Sequence, residues 1–368
     1  MPKTKNILIL IPADNARGGI TNFYQTIKKY FPPNIIYQYR GSRTFPFRKN
    51  FSKEFKRIFV DYFYFLFTIL TKNVTLIQTT TSLNPNALCR DAIFIILSKL
   101  FRKKTVVFFR GWDIDYADKI EGQKLFKYVF FKADSFIVLT DNAEKTLKRW
   151  GYKKNIYRGT TAVGNHLIQN LTKESIKNKF ENDSKKIKLL YLARIEKRKG
   201  IYELIDTLQI LNTIYDNIIL TIAGDGREEK AIREYISKKN IKNVTFTGFV
   251  NNEEKVKVFN NNHIYIFPSY TEGMPTSVLE AMAFGLPVIT TAVGGLIDFF
   301  QNGTNGFMSE VPPKPSKFAK NIMHLIENQE LMKSIALNNF IYAQNTFLAS
   351  KIAKQNENIF NEVINKNK

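Results

Sequence analysis

Cysteine and histidine are scarce in this chain of 368 residues. Cys89 is its one cysteine, and its three histidines are widely separated. No intramolecular disulfide can therefore form, and a zinc site built from cysteine and histidine is excluded. So low a cysteine content is typical of a protein that works in a reducing compartment.

Long hydrophobic runs are also missing. The longest apolar stretch, Ile58 to Thr71, contains Asp61 and is shorter than the roughly 20 apolar residues that a membrane-spanning helix needs. The first apolar run, Ile7 to Pro12, is too short for the core of a signal peptide. We therefore expect a soluble or peripheral protein.

Acidic residues are few, and the excess of basic over acidic residues is uneven along the chain. The net charge is +23, and residues 1–165 hold 29 Lys and Arg against 11 Asp and Glu, whereas residues 166–368 hold 26 against 21. This asymmetry indicates an anionic partner for the first half, such as a nucleic acid, an acidic membrane or an anionic substrate. The alternative is a solvated, lysine-rich surface.

Short segments rich in Val, Ile and Phe alternate with helical patterns along the whole chain. This alternation predicts an α/β protein with two doubly wound parallel sheets, whose domains face each other across a cleft. A polar stretch from Asn170 to Lys186 reads as a linker because it lacks an apolar period. The predicted divisions are an N-terminal domain over 1–165, a linker over 166–186, a second domain over 187–345, and a polar C-terminal helix over 346–368 that crosses back to the first domain.

The most informative segment is FPSYTEGMPTSVLEAMAFGLPVITTAVGG, which starts at Phe267. It reads as a strand, a loop with Glu272, and a helix that starts near Thr276 and carries Glu280. Free amides at a helix start bind anions, and Gly273 lets a ligand approach the backbone. Acids beside such amides suit a ligand that has both hydroxyls and phosphates, although a capped helix with two exposed acids has the same pattern.

Two further turns offer groups for an anion. In YLARIEKRKGIYELI, Arg194 follows a strand and Lys199 opens the next helix, so the two cations could hold a diphosphate. Gly18 and Gly19 open the first helix after the first strand. The first turn could equally be a solvated basic loop, and the second lacks the three spaced glycines of a dinucleotide fingerprint.

Taken together, these motifs resemble the signature of retaining GT-B glycosyltransferases, most closely family four (glycosyl transferases group 1). The resemblance includes AGDG at 223–226, VTFTGFV at 244–250 and NGTNGF at 302–307, and it covers the second domain in order and parts of the first. It implies that Arg194 and Lys199 hold the donor diphosphate, that Glu280 binds the ribose, and that Glu272 binds the donor sugar. The other donor-binding residues that it implies are Gly273, Met274, Pro275, Ser277, Val278, Phe249, Val250, Gly18 and Gly19.

The chain departs from this family at one point near the transferred sugar. The family often has a His–Gly pair after the fourth strand, whereas here the segment is VVFFRGWDID, with Arg110 before Gly111. Arginine stays protonated and cannot act as a base, so Arg110 would pair with a phosphate or an acidic acceptor, or be a structural residue. Asp113 and Asp115 form an Asp-x-Asp pair, which could bind a divalent metal, but the ordered GT-B motifs favour a metal-free site with no cofactor.

Basic and aromatic residues are concentrated between positions 39 and 72. The aromatic stretch from Ile58 to Leu70 follows a run of basic residues, which suits an acidic lipid surface, unless the stretch is simply a buried helix. The basic residues are Arg40, Arg43, Arg48, Lys49, Lys53, Lys56 and Arg57.

From these residues and this resemblance we expect an enzyme of the hexosyltransferase kind. It would move a sugar from a nucleotide-sugar, with a UDP-sugar favoured and a GDP-sugar as the alternative, to an acceptor hydroxyl, with retention of configuration and without a metal. The acceptor would be a glycan or a lipid-linked glycan of polysaccharide or lipopolysaccharide biosynthesis, at the inner face of a bacterial membrane. No convincing enzymic base is visible, which fits the front-face mechanism of the family.

Two other functions are consistent with part of the sequence. A non-catalytic protein that binds nucleic acid or a membrane surface would explain the charge, but it leaves Glu272 and Glu280 unexplained, because acids repel a phosphate backbone. We therefore expect no nucleic-acid partner. A nicotinamide-dependent enzyme would require the missing glycine fingerprint.

Overall fold

The structure is a computed structural model that describes residues 5–16, 18–40, 51–180 and 186–366, and within 51–56 it describes the backbone alone. The chain forms two compact units. The first comprises Met1–Ala162 together with Ala349–Lys368, and the second comprises Val163–Leu348.

Each unit is built on a parallel sheet of six strands. The strands of the first unit are β1 (Asn6–Pro12), β2 (Ile35–Arg40), β3 (Val74–Ser82), β4 (Lys104–Gly111), β5 (Ser135–Val138) and β6 (Asn155–Arg158). Those of the second are β7 (Ile187–Leu192), β8 (Ile218–Ala223), β9 (Val244–Gly248), β10 (Ile264–Phe267), β11 (Val288–Thr291) and β12 (Gly306–Ser309).

Helices connect these strands. They are α1 (Gly19–Ile27), α2 (Phe51–Thr71), α3 (Pro85–Leu100), α4 (Ile114–Ile120), α5 (Lys124–Phe130), α6 (Asp141–Arg149), α7 (Asn165–Ile168), α8 (Lys173–Asn178), α9 (Ile201–Leu211), α10 (Glu229–Lys238), α11 (Asn252–Asn260), α12 (Thr276–Ala283), α13 (Pro315–Glu327), α14 (Gln329–Thr346) and α15 (Ala349–Asn365). Short 3₁₀ turns lie at Lys28–Tyr30, Lys197–Lys199 and Gly294–Leu296.

The strand orders are β2-β1-β3-β4-β5-β6 and β12-β11-β10-β7-β8-β9, with parallel pairings throughout. In each sheet the order reverses next to the first strand, between β1 and β3 and between β7 and β10. Ligands of open α/β sheets bind outside the carboxyl ends of the strands at such a reversal. The predicted fold class, an α/β protein with two doubly wound sheets, is confirmed.

Local sequence explains why these elements form where they do. The core of β1, Ile7 to Ile11, is buried on both sides, as expected for a central parallel strand. Asn84 caps α3 by accepting a hydrogen bond from the Ala87 amide at 3.0 Å, and Pro85 stands at the first helical position. Thr140 caps α6 in the same way through Ala143.

Several predicted elements differ from the structure. The segment predicted as a linker contains two short helices, α7 and α8, and Ile176 of α8 packs against Ala336 and Phe340 of α14. The structure also contains α4, β12 and α14, which the sequence pattern did not predict. The C-terminal helix is less polar than predicted, because α15 buries Ile352, Phe360 and Val363.

The interpretation of Ile58 to Leu70 as a simply buried helix is wrong. Phe65 and Ile69 of α2 pack on β1 and β3 with Phe94 of α3, but the opposite side of α2 is exposed. Arg43, Arg48, Lys49 and the side chains of Lys53 and Lys56 lie outside the described residues.

Candidate functional site

The two most informative motifs of the second unit meet at its sheet reversal. β7 and β10 are neighbouring strands, and the loops that follow them carry Arg194 to Lys199 and Ser269 to Pro275. The loops are tied together, because the Tyr270 amide donates to the Arg198 carbonyl at 3.0 Å. Residues 73 positions apart in sequence thereby form one surface.

An ion pair between Lys199 and Glu272 lies at the centre of this surface. Lys199 Nζ contacts Glu272 Oε1, and each side chain is only 12% exposed. Ser269 Oγ donates to the same carboxylate oxygen at 2.8 Å. The lysine is thus held with its charge in place before any ligand arrives, which suits stabilisation of a developing anion.

The backbone around Lys199 is fixed by two neighbours. The Tyr191 hydroxyl lies within hydrogen-bonding distance of the Arg194 and Lys199 carbonyls, at 3.2 and 3.4 Å. Gly200 has φ 73°, and a Cβ there would collide with the Pro268 carbonyl. Only glycine lets the β7 loop approach β10 this closely.

Arg194 lies on the open side of the same loop. Its side chain is 61% exposed, and its Nη1 is 3.1 Å from Glu196 Oε1, while Arg198 Nε is 2.6 Å from Glu196 Oε2. Burial acts to raise the pKa of Glu196, but the hydrogen bond from Arg198 and the charge of Arg194 outweigh it and lower the pKa. Glu196 therefore stays ionised and holds both guanidinium groups near Lys199.

Glu280 is held by a residue that the sequence analysis missed. Its carboxylate is 5% exposed and pairs with Lys255 Nζ of α11, at 3.0 and 3.2 Å from the two oxygens. Lys255 lies 25 residues before Glu280 and belongs to no motif, so only the three-dimensional structure reveals the pair. Glu280 thus keeps its carboxylate at a fixed place in the second turn of α12.

The start of α12 supplies backbone groups. The helix follows Pro275 with no side-chain cap and no acid in its first turn, which leaves its positive end available to an anion. The Tyr265 hydroxyl donates to Ser277 Oγ at 2.7 Å, whereas Val278 is fully buried and Met274 is partly buried against the core. Of these residues, Ser277 and Pro275 lie at the helix start, whereas the Val278 amide already donates to the Pro275 carbonyl at 3.2 Å.

Glycines bring a further loop against Glu272. The Gly295 amide donates to the Gly273 carbonyl at 2.7 Å. A Cβ on Gly294, where φ is 54°, would collide with the carbonyls of Gly273 and Glu272. The turn after β11 therefore supports the loop that carries the candidate sugar-binding acid.

Phe249 and Val250 lie further away, after the edge strand β9. Phe249 is 60% exposed, whereas Val250 is buried in the core. The described contacts do not join either residue to Lys199 or Glu272. Their predicted place beside the base stays a prediction.

In the first unit, Gly18 and Gly19 stand at the start of α1, with open space where a Cβ would be. This helix has no side-chain cap and no acid in its first turn. Arg110, at the end of β4, stacks on Phe23 of α1 at 3.8 Å from the ring centre. Its Nη1 donates to the Thr160 carbonyl at 3.0 Å, and its Nη2 donates to Thr161 Oγ1 at 3.1 Å.

The Asp-x-Asp pair has a structural role. Asp113 caps α4, because its Oδ1 accepts a hydrogen bond from the Tyr116 amide at 2.9 Å, and Asp115 lies in the first turn of that helix. Within the described ranges, no three His, Cys, Asp or Glu side chains cluster as metal ligands.

Comparison with known proteins finds similarity to glycosyltransferases. Residues 172–340 match the family model Glycosyl transferases group 1. The fold of the whole chain matches that of solved structures. One is "Anabaena Alr3699/HepE in complex with UDP", with a TM-score of 0.76, 17% identity, and coverage of 97% of this chain and 100% of that one. The GT-B type of α/β fold is thereby confirmed.

Curated relatives are glycosyltransferases by name. The chain is 32% identical over 173 residues to the capsular polysaccharide biosynthesis glycosyltransferase CapM of Staphylococcus aureus, covering 46% of this chain and 45% of the relative. It is 28% identical over 280 residues to an uncharacterised glycosyltransferase of Methanocaldococcus jannaschii, covering 74% and 66%. The matches thus span about half to two thirds of these relatives.

Proposed function

We propose that this protein is a glycosyltransferase that moves a sugar from a nucleotide-sugar to an acceptor hydroxyl, with retention of configuration. The observation that carries the proposal is the junction of Lys199, Glu272 and Arg194 at the β7–β10 reversal, inside a Glycosyl transferases group 1 domain. Two fixed cations and an oriented acid match a substrate that is a diphosphate at one end and a polyol at the other.

The chemistry follows from where charge develops. Cleavage of the bond between the anomeric carbon and the phosphate oxygen leaves negative charge on the diphosphate. Lys199 and Arg194 stabilise this leaving group more in the transition state than in the ground state. Glu272 orients sugar hydroxyls by accepting their hydrogen bonds, and Glu280 does the same for the ribose. The acceptor proton passes to the leaving phosphate, so the reaction needs no enzymic base and, with these cations present, no divalent metal.

UDP is the nucleotide that we propose for the donor. The solved structure named above contains UDP by its title, and the same fold here places Lys199 and Arg194 at the sheet reversal. CapM acts in capsular polysaccharide biosynthesis by name, so we propose a glycan or a lipid-linked glycan as the acceptor.

We further propose that the first unit docks on an acidic membrane surface, at the cytoplasmic face. Of the 18 large apolar side chains that are exposed in the described residues, ten lie on α2 and α3. The two helices are neighbours, since Tyr62 and Phe94 are in ring contact at 4.7 Å. Phe63 and Leu100 are 74% and 73% exposed.

Basic residues flank this apolar face at Lys72 and Arg102, both of which are exposed. An apolar face with a basic rim is complementary to an anionic lipid headgroup layer. Within the described residues no helix is both long and apolar enough to cross a bilayer.

A nucleotide panel tests the donor site. We expect UDP to raise the midpoint of thermal unfolding, since a ligand that binds the folded state stabilises it, and we expect EDTA to leave the shift unchanged. GDP, ADP, CMP and NADH are the comparisons. A shift that EDTA abolishes would contradict the metal-free proposal, and no shift with any nucleoside diphosphate would contradict the donor site.

The catalytic assignment is tested by Glu272→Ala. We expect this variant to remain folded by circular dichroism and to release no UDP from a UDP-sugar in the presence of a membrane lipid extract on which the wild type is active. Full activity of the variant would refute the assignment.

A further inference from the structure

Arg110 is a partly buried cation to which the described residues offer no carboxylate. Its contacts include the Thr160 carbonyl, Thr161 Oγ1, and the rings of Phe23 and Phe108. No ion pair among the described residues includes it. The other inward-facing arginines of this unit differ. Arg40 lies 3.6 Å from Asp91, and Arg57 lies 2.9 Å from Asp61.

The charge of Arg110 persists at neutral pH. Burial lowers its pKa to about 10, which still leaves the guanidinium protonated. Tyr24 is the titratable group whose charge acts on Arg110. Burial raises the pKa of that phenol to about 12, so Tyr24 is neutral and does not balance the charge.

Its hydrogen bonds are also incomplete. A guanidinium has five N–H donors, of which the protein uses one on Nη1 and one on Nη2. Nε is buried and has no acceptor among the residues that the structure describes. A charge that is partly removed from water and has no opposite charge beside it costs free energy, and a substrate that brings an anion would reduce this cost.

Arg110 lies on β4 at the carboxyl edge of the first sheet, one strand from the reversal between β1 and β3 where ligands of open α/β sheets bind. The Phe23 ring on which it stacks belongs to α1. The uncapped amino end of α1, at Gly19, adds a second positive feature on the same helix. Both features favour an anion over a neutral hydroxyl group.

We propose that Arg110 binds an anionic group of the substrate, a carboxylate or a phosphate, and thereby selects acidic substrates over neutral ones. This inference rests on the proposed glycosyltransferase function and specifies its substrate class. The guanidinium forms charge-assisted hydrogen bonds to two oxygens of the anion. Thr160, Thr161 and Phe23 hold the guanidinium plane in place.

Two pairs of probes that differ in one charged group test the proposal by titration calorimetry. UDP-glucuronate and UDP-glucose test a carboxylate on the donor sugar, and farnesyl phosphate and farnesol, in one detergent, test a phosphate on a lipid acceptor. We expect the wild type to bind the charged member of one pair at least tenfold more tightly, which is about 1.4 kcal/mol. We expect Arg110→Gln to reduce that preference to less than about threefold while it leaves UDP affinity unchanged.

Two control variants separate charge from packing. Arg110→Lys keeps the charge and is expected to keep part of the preference. Arg149→Gln removes an arginine that pairs with Glu121 at the surface. We expect this variant to keep the full preference for the charged probe. No preference in either pair, or a preference that Arg110→Gln retains, would overturn the proposal. Failure of UDP itself to bind the wild type would instead refute the proposed function.

Discussion

At the scale of single residues, the candidate site consists of acids already paired with lysines. Glu272 pairs with Lys199, and Glu280 pairs with Lys255. The sequence alone indicates two groups of site residues, Arg194 to Lys199 and Glu272 to Glu280. This is possible because the members of each group lie close together in the chain. Lys255 could not be predicted, because its partner lies in another helix and no local pattern marks a lysine as an ion-pair residue.

Lys179 gives a prediction at this scale. It is partly buried, and its Nζ donates to the Phe259 carbonyl at 2.9 Å; burial lowers its pKa to about 7 from 10.5. Between these two values the unfolded chain binds more protons than the folded one, so stability rises as pH increases above about 7.

We expect the urea midpoint of the wild type to increase from pH 7 to 9 more steeply than that of Lys179→Met. Urea unfolding at fixed ionic strength measures both slopes. Parallel slopes for the two proteins would show that Lys179 keeps an ordinary pKa.

At the scale of elements, glycines determine how close the loops lie. Gly200 lets the loop after β7 lie against Pro268 at the end of β10. Any side chain at position 200 would collide with the Pro268 carbonyl. We expect Gly200→Ala to lower the melting temperature and to weaken UDP binding at least tenfold, because Lys199 and Glu272 would separate. Melting curves and UDP titration measure the two effects.

Gly303→Ala is the matched control. Gly303 also has a positive φ, 78°, but has open space around it, so only conformational strain of about 1–2 kcal/mol is expected and UDP affinity should be unchanged. Equal effects of the two variants on UDP affinity would contradict the role of Gly200.

The elements also show why part of the fold was not predicted. β1 and β10 are nearly continuous apolar runs, which the sequence displays directly. α14 was missed because it buries Asn339, whose amide donates to the carbonyls of Leu286 and Asn305 at 2.9 Å, and a buried asparagine interrupts an apolar period. β12 was missed because its four residues, GFMS, begin with glycine, end with serine and include no Val or Ile.

At the scale of the whole molecule, the excess positive charge and the apolar face occur in the same unit. The charge asymmetry was visible in the sequence, but the outward side of α2 was not, because a helix of this composition could be buried on all sides. The structure shows which of its aromatic residues face outward.

Vesicle binding tests this surface. We expect the protein to sediment with vesicles of phosphatidylcholine and phosphatidylglycerol, and less with phosphatidylcholine alone, because the basic rim attracts anionic lipid. Phe63→Ser combined with Leu70→Ser should reduce sedimentation at least fivefold. Leu125→Ser, which changes a 74% exposed residue elsewhere in the first unit, should have no effect; equal binding by all variants would refute the surface.

The most direct test of the donor site is calorimetric titration of UDP into the wild type, Lys199→Ala and Lys197→Ala. Lys199 and Lys197 share one 3₁₀ turn, but only Lys199 is held against Glu272. Loss of a charge-assisted hydrogen bond costs about 1.5–3 kcal/mol, so Lys199→Ala should raise Kd about 10- to 150-fold while Lys197→Ala changes it less than about threefold. Equal affinity of all three proteins for UDP would contradict a diphosphate site at Lys199.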